Sequence, residues 1–209
     1  PYPTILGHES IGCVIRIGRK VRNLKEGDLV TRTGVLPCRL PGLSAVFGGF
    51  AEFTLAGDYR AMRQDGLPLE QWKLARRNQV LPEDFHPAAS TMIITWRESL
   101  SYIRRAGVKR GSSLLVIGSG GTGLSFVCHA RNLGAGRILM IGHPDRAGIA
   151  RTLGATGFFN YRSGNVAQRV AAETGDAFDC IIDSIGKADS LNPLLPLLRR
   201  GGTAGIYGV

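Results

Sequence analysis

The sequence predicts an α/β protein in which a smaller β-rich unit precedes a doubly wound parallel sheet. Three observations predict it. From Ser112 onward, five short apolar runs alternate with four helix-length segments, the order required by a parallel sheet covered on both faces. A glycine-rich turn joins the first of these runs to the first helix. Before Ser112 the apolar residues fall in short alternating stretches separated by turn residues, the pattern of brief strands rather than helices.

Taken in order, residues 11–17 alternate and read as a strand, Gly18 and Lys25-Glu26-Gly27-Asp28 mark turns, and Leu29-Val30 and 50–55 read as further strands. Residues 58–84 are highly charged and read as a solvated connector, within which 71–77 predicts an exposed helix ending before Pro82. In the second half the predicted strands are 114–117, 138–141, 158–159, 180–182 and 204–207. The intervening helices are expected near 123–133, 146–153, 166–173 and 191–198. The expected domains are 1–93 and 94–209, with the sheet cut short after its fifth strand and the natural amino terminus upstream of Pro1.

A formal charge of +10 favours anionic partners in general. The basic residues, however, are spread over 16–25, 60–77, 104–110 and 199–200, with no nucleic-acid-binding module and no interleaved aromatics. Neither a nucleic acid nor a membrane is therefore expected as partner, and the basic surface equally suits an anionic cofactor. No apolar stretch approaches the roughly 18 residues of a membrane-crossing helix. The four cysteines, Cys13, Cys38, Cys128 and Cys180, form no C-x-x-C pair. Three of them sit in apolar runs and read as core residues of a reduced, cytoplasmic protein.

The turn Gly118-Ser119-Gly120-Gly121-Thr122-Gly123 has the spacing G-x-G-x-x-G at the end of a predicted strand and the start of a predicted helix. Gly118 permits a tight turn, Gly120 lets the backbone approach a pyrophosphate, and Gly123 lets helix and strand pack closely. The free amides of the helix start, at Gly121 and Thr122 onward, would face the anion. Such a turn within a βαβ unit is the Rossmann dinucleotide-binding arrangement. At the end of the next strand, where an NAD site carries Asp or Glu for the ribose hydroxyls, stands Met140-Ile141-Gly142-His143-Pro144-Asp145-Arg146. Gly142 and His143 leave room for a phosphate there, which favours NADP(H) over NAD(H). Arg146 either reaches that phosphate or is solvated, and Asp145 reads as an acid at a helix start.

The run Gly7-His8-Glu9-Ser10-Ile11-Gly12-Cys13-Val14, followed by Gly18, Val21 and Gly27-Asp28-Leu29-Val30, resembles the medium-chain dehydrogenase/reductase superfamily in its zinc-type alcohol dehydrogenase branch. Gly48-Gly49-Phe50-Ala51-Glu52-Phe53 and Ala106-Gly107-Val108-Lys109 are similar to further segments of that family. The resemblance implies a partial GroES-like catalytic domain followed by a Rossmann coenzyme domain. It implies His8 as a ligand of catalytic zinc with Glu9 beside the metal, and Thr95 beside the nicotinamide. It also implies contact of Tyr161 with the 2′-phosphate and packing of Ile185 near the nicotinamide. Zinc in such a site polarises a carbonyl or acidifies a bound alcohol. The family's first cysteine ligand would precede Pro1, Thr91 stands near the position of the third ligand, and only Cys38 falls where a four-cysteine lobe would lie, so no structural zinc is expected. Glu98, one turn past Thr95, either substitutes as a ligand or is an exposed helical carboxylate; His86 reads as a surface loop residue.

The leading expectation is an NADP(H)-dependent alcohol dehydrogenase or carbonyl reductase acting on a small molecule, with His8, Glu9 and Thr95 at the reacting centre. A homodimer is what the family suggests. Two alternatives remain open: a zinc-free NADPH-dependent enone or quinone-type reductase, and a non-catalytic cofactor-binding remnant.

Overall fold

Short strands and polar anchors, rather than a broad sheet, make up the first of the two units into which the chain divides, Pro1–Thr95 and Trp96–Val209. The computed structural model describes residues 3–34, 44–45, 48–175 and 177–208. In the first unit β1 (Thr4–Ile5) pairs in parallel with β4 (Ser44–Ala45), and β2 (Ile11–Cys13) pairs antiparallel with β3 (Leu29–Thr31). The strand expected over 11–17 is shorter than its alternation suggests. Gly27, at φ +92°, turns the partner away, so that Val14 bonds to the carbonyl of Asp28 and accepts from Gly27, and Ile15 and Ile17 are left exposed. The strand expected over 50–55 is absent except for a single bridge from Leu55 to Gly34. The amides of Gly49 and Phe50 bond instead to the carbonyls of Gly7 and Leu6, leaving Phe50 and Phe53 exposed.

The charged stretch that follows is largely exposed, as a solvated connector would be, but it is anchored at Asp58 and Asn78. Asp58, 7% exposed, caps α1 (Tyr59–Gln64) through the amide of Ala61 at 3.0 Å. Its carboxylate also accepts from the amides of Arg22 and Asn23, both at 2.8 Å, and from the Asn23 side chain. Burial raises the pKa of this carboxyl, but the hydrogen bonds outweigh it and bring the value down to about 2. The helix expected over 71–77 is displaced and broken. α2 (Leu69–Trp72) starts directly after Pro68, and a separate 3₁₀ turn, Ala75–Arg77, brings Asn78 beneath β3. There the Asn78 amide donates to the carbonyls of Thr31 and Arg32 and accepts from the amide of Gly57. Val80 then bridges to Val30, and Leu81 is buried. α3 (Pro87–Ser90) is capped by His86, so that residue has a structural task beyond occupying a loop. α4 (Met92–Arg105) follows, and the division between the units falls within it.

The second unit is the doubly wound sheet. Its strands are β5 (Ser113–Ile117), β6 (Arg137–Gly142), β7 (Gly157–Asn160), β8 (Phe178–Asp183) and β9 (Leu198–Ile206), all parallel in the order β7-β6-β5-β8-β9. Helices α5 (Gly121–Asn132), α6 (Ala147–Leu153), α7 (Val166–Thr174) and α8 (Ala188–Leu191) connect them. Because strand side chains alternate between faces, Leu114, Val116, Ile138 and Met140 pack with Ile103 and Phe126 on one side. Leu115, Ile117, Leu139 and Ile141 pack with Phe159, Val170 and Phe178 on the other. Burial on both faces is why these strands read as continuous apolar runs.

Two elements here differ from expectation. The single helix over 191–198 is α8 followed by a 3₁₀ turn, Asn192–Leu197, because Pro193 and Pro196 each remove a helical donor. The fifth strand starts at Leu198, well ahead of the expected 204, through polar Arg199 and Arg200 whose sequence hides the strand. Of the cysteines, Cys180 is buried and Cys128 half-buried, but Cys13 is exposed and not part of a core. Cys38 lies outside the described residues. Among the described residues no helix is long and apolar enough to cross a membrane.

Candidate functional site

In the first unit the structure brings Glu9 and Thr95 together: the Thr95 hydroxyl donates to Glu9 Oε1. They are 86 residues apart in sequence. Glu9 follows the turn at Gly7, whose φ of +99° and close approach to the Phe50 backbone amide require glycine. The next residue, Ser10, donates to the carbonyl of Thr33, which fixes this loop against β3. His8 and Glu9 are both half-buried. Thr91, near the position of the family's third metal ligand, spends its hydroxyl on the carbonyl of Ala88, and Glu98 is half-buried on α4. Among the described residues no three His, Cys, Asp or Glu side chains gather as a metal site would need. The described residues of this chain do not by themselves complete a catalytic zinc site.

In the second unit the glycine turn has three separate steric roles. Gly118 sits at φ +102°, and a Cβ there would strike the side chains of Ser184 and Ile185. A Cβ on Gly123 would lie 2.9 Å from the carbonyl carbon of Gly118 and closer still to its oxygen, so helix and turn meet only because it is absent. Gly120 faces open space. It is also the N-cap of α5 and offers no side chain to the helix start, so the amides of Gly121, Thr122 and Gly123 carry the positive end of the helix dipole without a capping group.

Beside this turn lies a cavity of about 600 Å³, lined among others by Ser119, Gly142, His143, Tyr161, Ile185 and Lys187. Its walls come from the C-terminal ends of β5, β6, β7 and β8, where parallel sheets of this order hold ligands. Sequence reasoning named four of those six, missing Ser119 and Lys187. Ser119 Oγ accepts from the amide of His143 at 2.9 Å and so couples the glycine turn to the end of β6. Gly142 does not leave room in the way expected. The space a Cβ would take is filled by Ser119 and Phe158, so this glycine serves the close approach of the turn. Arg146 is exposed and not in the cavity wall.

His143 Nδ1 lies 3.5 Å from the Asp145 carboxylate, and its ring centroid lies 6.2 Å from that of Tyr161. The end of β8 is set by Asp183, 1% exposed, whose carboxylate accepts from the amides of Ile185 at 2.9 Å and Gly186 at 3.2 Å. Ser184 then donates to the carbonyl of Ile117. Asp183 was not among the sequence candidates; a lone acid closing an apolar strand was the available signal.

Both halves of the chain are similar to known proteins. A family model described as alcohol dehydrogenase GroES-like domain matches residues 1–65, and one described as zinc-binding dehydrogenase matches residues 121–209. An NADP-dependent isopropanol dehydrogenase from Clostridium beijerinckii is 31% identical over 210 residues, covering 95% of this chain and 58% of that protein. A D-xylulose reductase A from Aspergillus niger is 30% identical over 218 residues, covering 96% of this chain and again 58% of the relative. A crystal structure of a putative zinc-binding dehydrogenase from Sinorhizobium meliloti 1021 bound to NADP superposes with a TM-score of 0.79 at 25% identity, covering 100% of this chain and 62% of that one. The chain thus spans a little over half the length of the relatives it matches.

Proposed function

Because the chain belongs to the medium-chain dehydrogenase/reductase superfamily, in its zinc-type alcohol dehydrogenase branch, we propose that it is an oxidoreductase that uses NADP(H) to interconvert an alcohol and its carbonyl compound. The observation that carries this reading is the glycine turn, with open space at Gly120 and an uncapped helix start behind it, beside a cavity that Ser119 of the turn lines and whose β6 end carries His143 instead of an acid. When bound, the cofactor supplies or accepts the hydride. The amides of Gly121, Thr122 and Gly123 bind its pyrophosphate, His143 and Tyr161 face the 2′-phosphate, and Ile185, held by Asp183, gives the nicotinamide an apolar contact. The Thr95 hydroxyl donates to Glu9, which leaves Glu9 as the base behind that hydroxyl.

Fluorescence titration of the chain with NADPH and NADH, followed by turnover on a panel of small alcohols and ketones, tests this. NADPH is expected to bind more tightly; equal or reversed affinities overturn the cofactor choice. A second reading, a zinc-free reductase of activated double bonds, is supported by the absence of three gathered ligands among the described residues. Elemental analysis of the chain and of His8→Ala separates the two. One zinc per chain, lost in the variant, favours alcohol chemistry; no zinc in either favours the enone reductase.

A further inference from the structure

We propose that Arg162, rather than Arg146, is the guanidinium that selects the 2′-phosphate, acting with the Tyr161 hydroxyl as one unit; this rests on the NADP(H) reading above. Arg162 Nε donates to Tyr161 Oη at 2.9 Å, and its guanidinium carbon stands 5.4 Å from the Tyr161 ring centroid. A phenol has one proton to give and lone pairs to receive with. Since Arg162 occupies a lone pair, the Tyr161 proton is left to donate outward. Only Nε of Arg162 is used in this bond, and the residue is exposed, so its two terminal nitrogens are not spent on Tyr161. Phosphate suits that planar fork better than it suits the point charge of a lysine.

The loop that presents the pair is fixed from three sides. The amide of Tyr161 bonds to the carbonyl of Gly142, tying the end of β7 to the end of β6. Asn160 Oδ1 accepts from the amide of Arg162 at 2.9 Å, and Arg169 holds the carbonyl of Ser163 at 3.0 Å. The pair therefore stands beside His143, at the strand ends where the ribose of a bound dinucleotide is recognised. Asp145 lies 3.5 Å from His143 and would repel a phosphate, and a cation on the β7 side would offset that repulsion. Lys187, the cation in the cavity wall, follows β8 and is separated from β7 by β5 and β6 in the sheet order, whereas Arg162, itself outside the wall, is bonded to Tyr161, which lines it.

Calorimetric titration with adenosine 2′,5′-bisphosphate and with adenosine 5′-monophosphate, which differ only by the 2′-phosphate, tests this on the intact chain. Wild type is expected to prefer the bisphosphate. Arg162→Gln is expected to reduce bisphosphate affinity on the order of tenfold to a hundredfold while leaving the monophosphate unchanged. Tyr161→Phe should reduce it less, and the double variant should lose less than the product of the two single losses. An unchanged preference in Arg162→Gln, or the loss appearing instead in Arg146→Gln or Lys187→Gln, overturns the assignment while leaving the NADP(H) reading intact. A wild type without preference overturns both.

Discussion

The two units reach their folds by different means, and the contrast explains what each exposes. The second unit buries Leu114, Leu115, Val116, Phe126, Phe178, Ile181 and Ile182 almost completely, with side chains of one strand serving two cores. Among its described residues the first unit buries few apolar side chains, Val30, Ala61, Leu81 and Ile94, while Phe50, Phe53 and Ile15 stand open. Its loops are held instead by polar side chains bonded to backbone, above all Asp58 and Asn78. Apolar burial is non-directional and proportional to area, whereas a carboxylate that collects amides from two segments fixes geometry but carries a desolvation cost. The first unit should therefore fail through single polar atoms and the second through lost volume.

The largest expected effect breaks the second unit. Phe178 is fully buried at the start of β8, with the Arg137 guanidinium 5.0 Å from its ring centroid. Phe178→Ala should cost about 3 to 5 kcal/mol, combining lost transfer energy with the cavity left behind. Chemical denaturation followed at Trp96, the tryptophan of that unit, checks it. A loss below about 1 kcal/mol would mean that the two-faced core is not what stabilises the sheet.

The next effect is smaller and belongs to the first unit. Asp58 has its pKa depressed from 3.8 to about 2. A depressed carboxyl stabilises the fold fully above the unfolded value and loses that contribution as pH falls through the folded one, here between about pH 4 and pH 2. The shift corresponds to about 2 kcal/mol. Unfolding followed at Trp72 should show that acid loss in the wild type, and Asp58→Ala should remove both the stability and its pH dependence. A variant with the same acid profile as wild type would show that another group titrates.

The same contrast governs how far the sequence could be read. Strands β5, β6 and β8 are visible as apolar runs because burial on both faces keeps their middle residues apolar. The role of Gly123 was also legible, since its spacing from Gly118 reports a close approach of backbone to backbone. What escaped notice depends on long-range polar contacts. Residues 58–84 are mostly exposed as their charge suggests, but nothing in a charged run says that Asp58 will meet the amides of Arg22 and Asn23, 36 and 35 residues away. The strand assigned to 50–55 failed for a related reason. Alternation of Phe50, Phe53 and Leu55 marks a strand only if a partner takes the backbone, and here Gly7 and Leu6 take that of Gly49 and Phe50. At the site, Glu9 and Thr95 were both named from a resemblance, but their hydrogen bond was not foreseen.

The smallest effect sharpens the comparison from the other side. Phe53 is as large as Phe178 and sits in a segment of similar apolar character, yet it is 67% exposed where Phe178 is 0%. If area removed from water sets the contribution, Phe53→Ala should change the stability of this chain by no more than about 0.5 kcal/mol, since an exposed ring has little transfer energy to lose. Denaturation at Trp72 measures it under the conditions used for Asp58. A loss approaching that of Phe178→Ala would place the ring within a packed surface and make apolar burial the stabilising term in both units. A neutral result leaves the first unit dependent on its hydrogen-bonded anchors, the arrangement in which one carboxylate, Asp58, can outweigh an aromatic side chain.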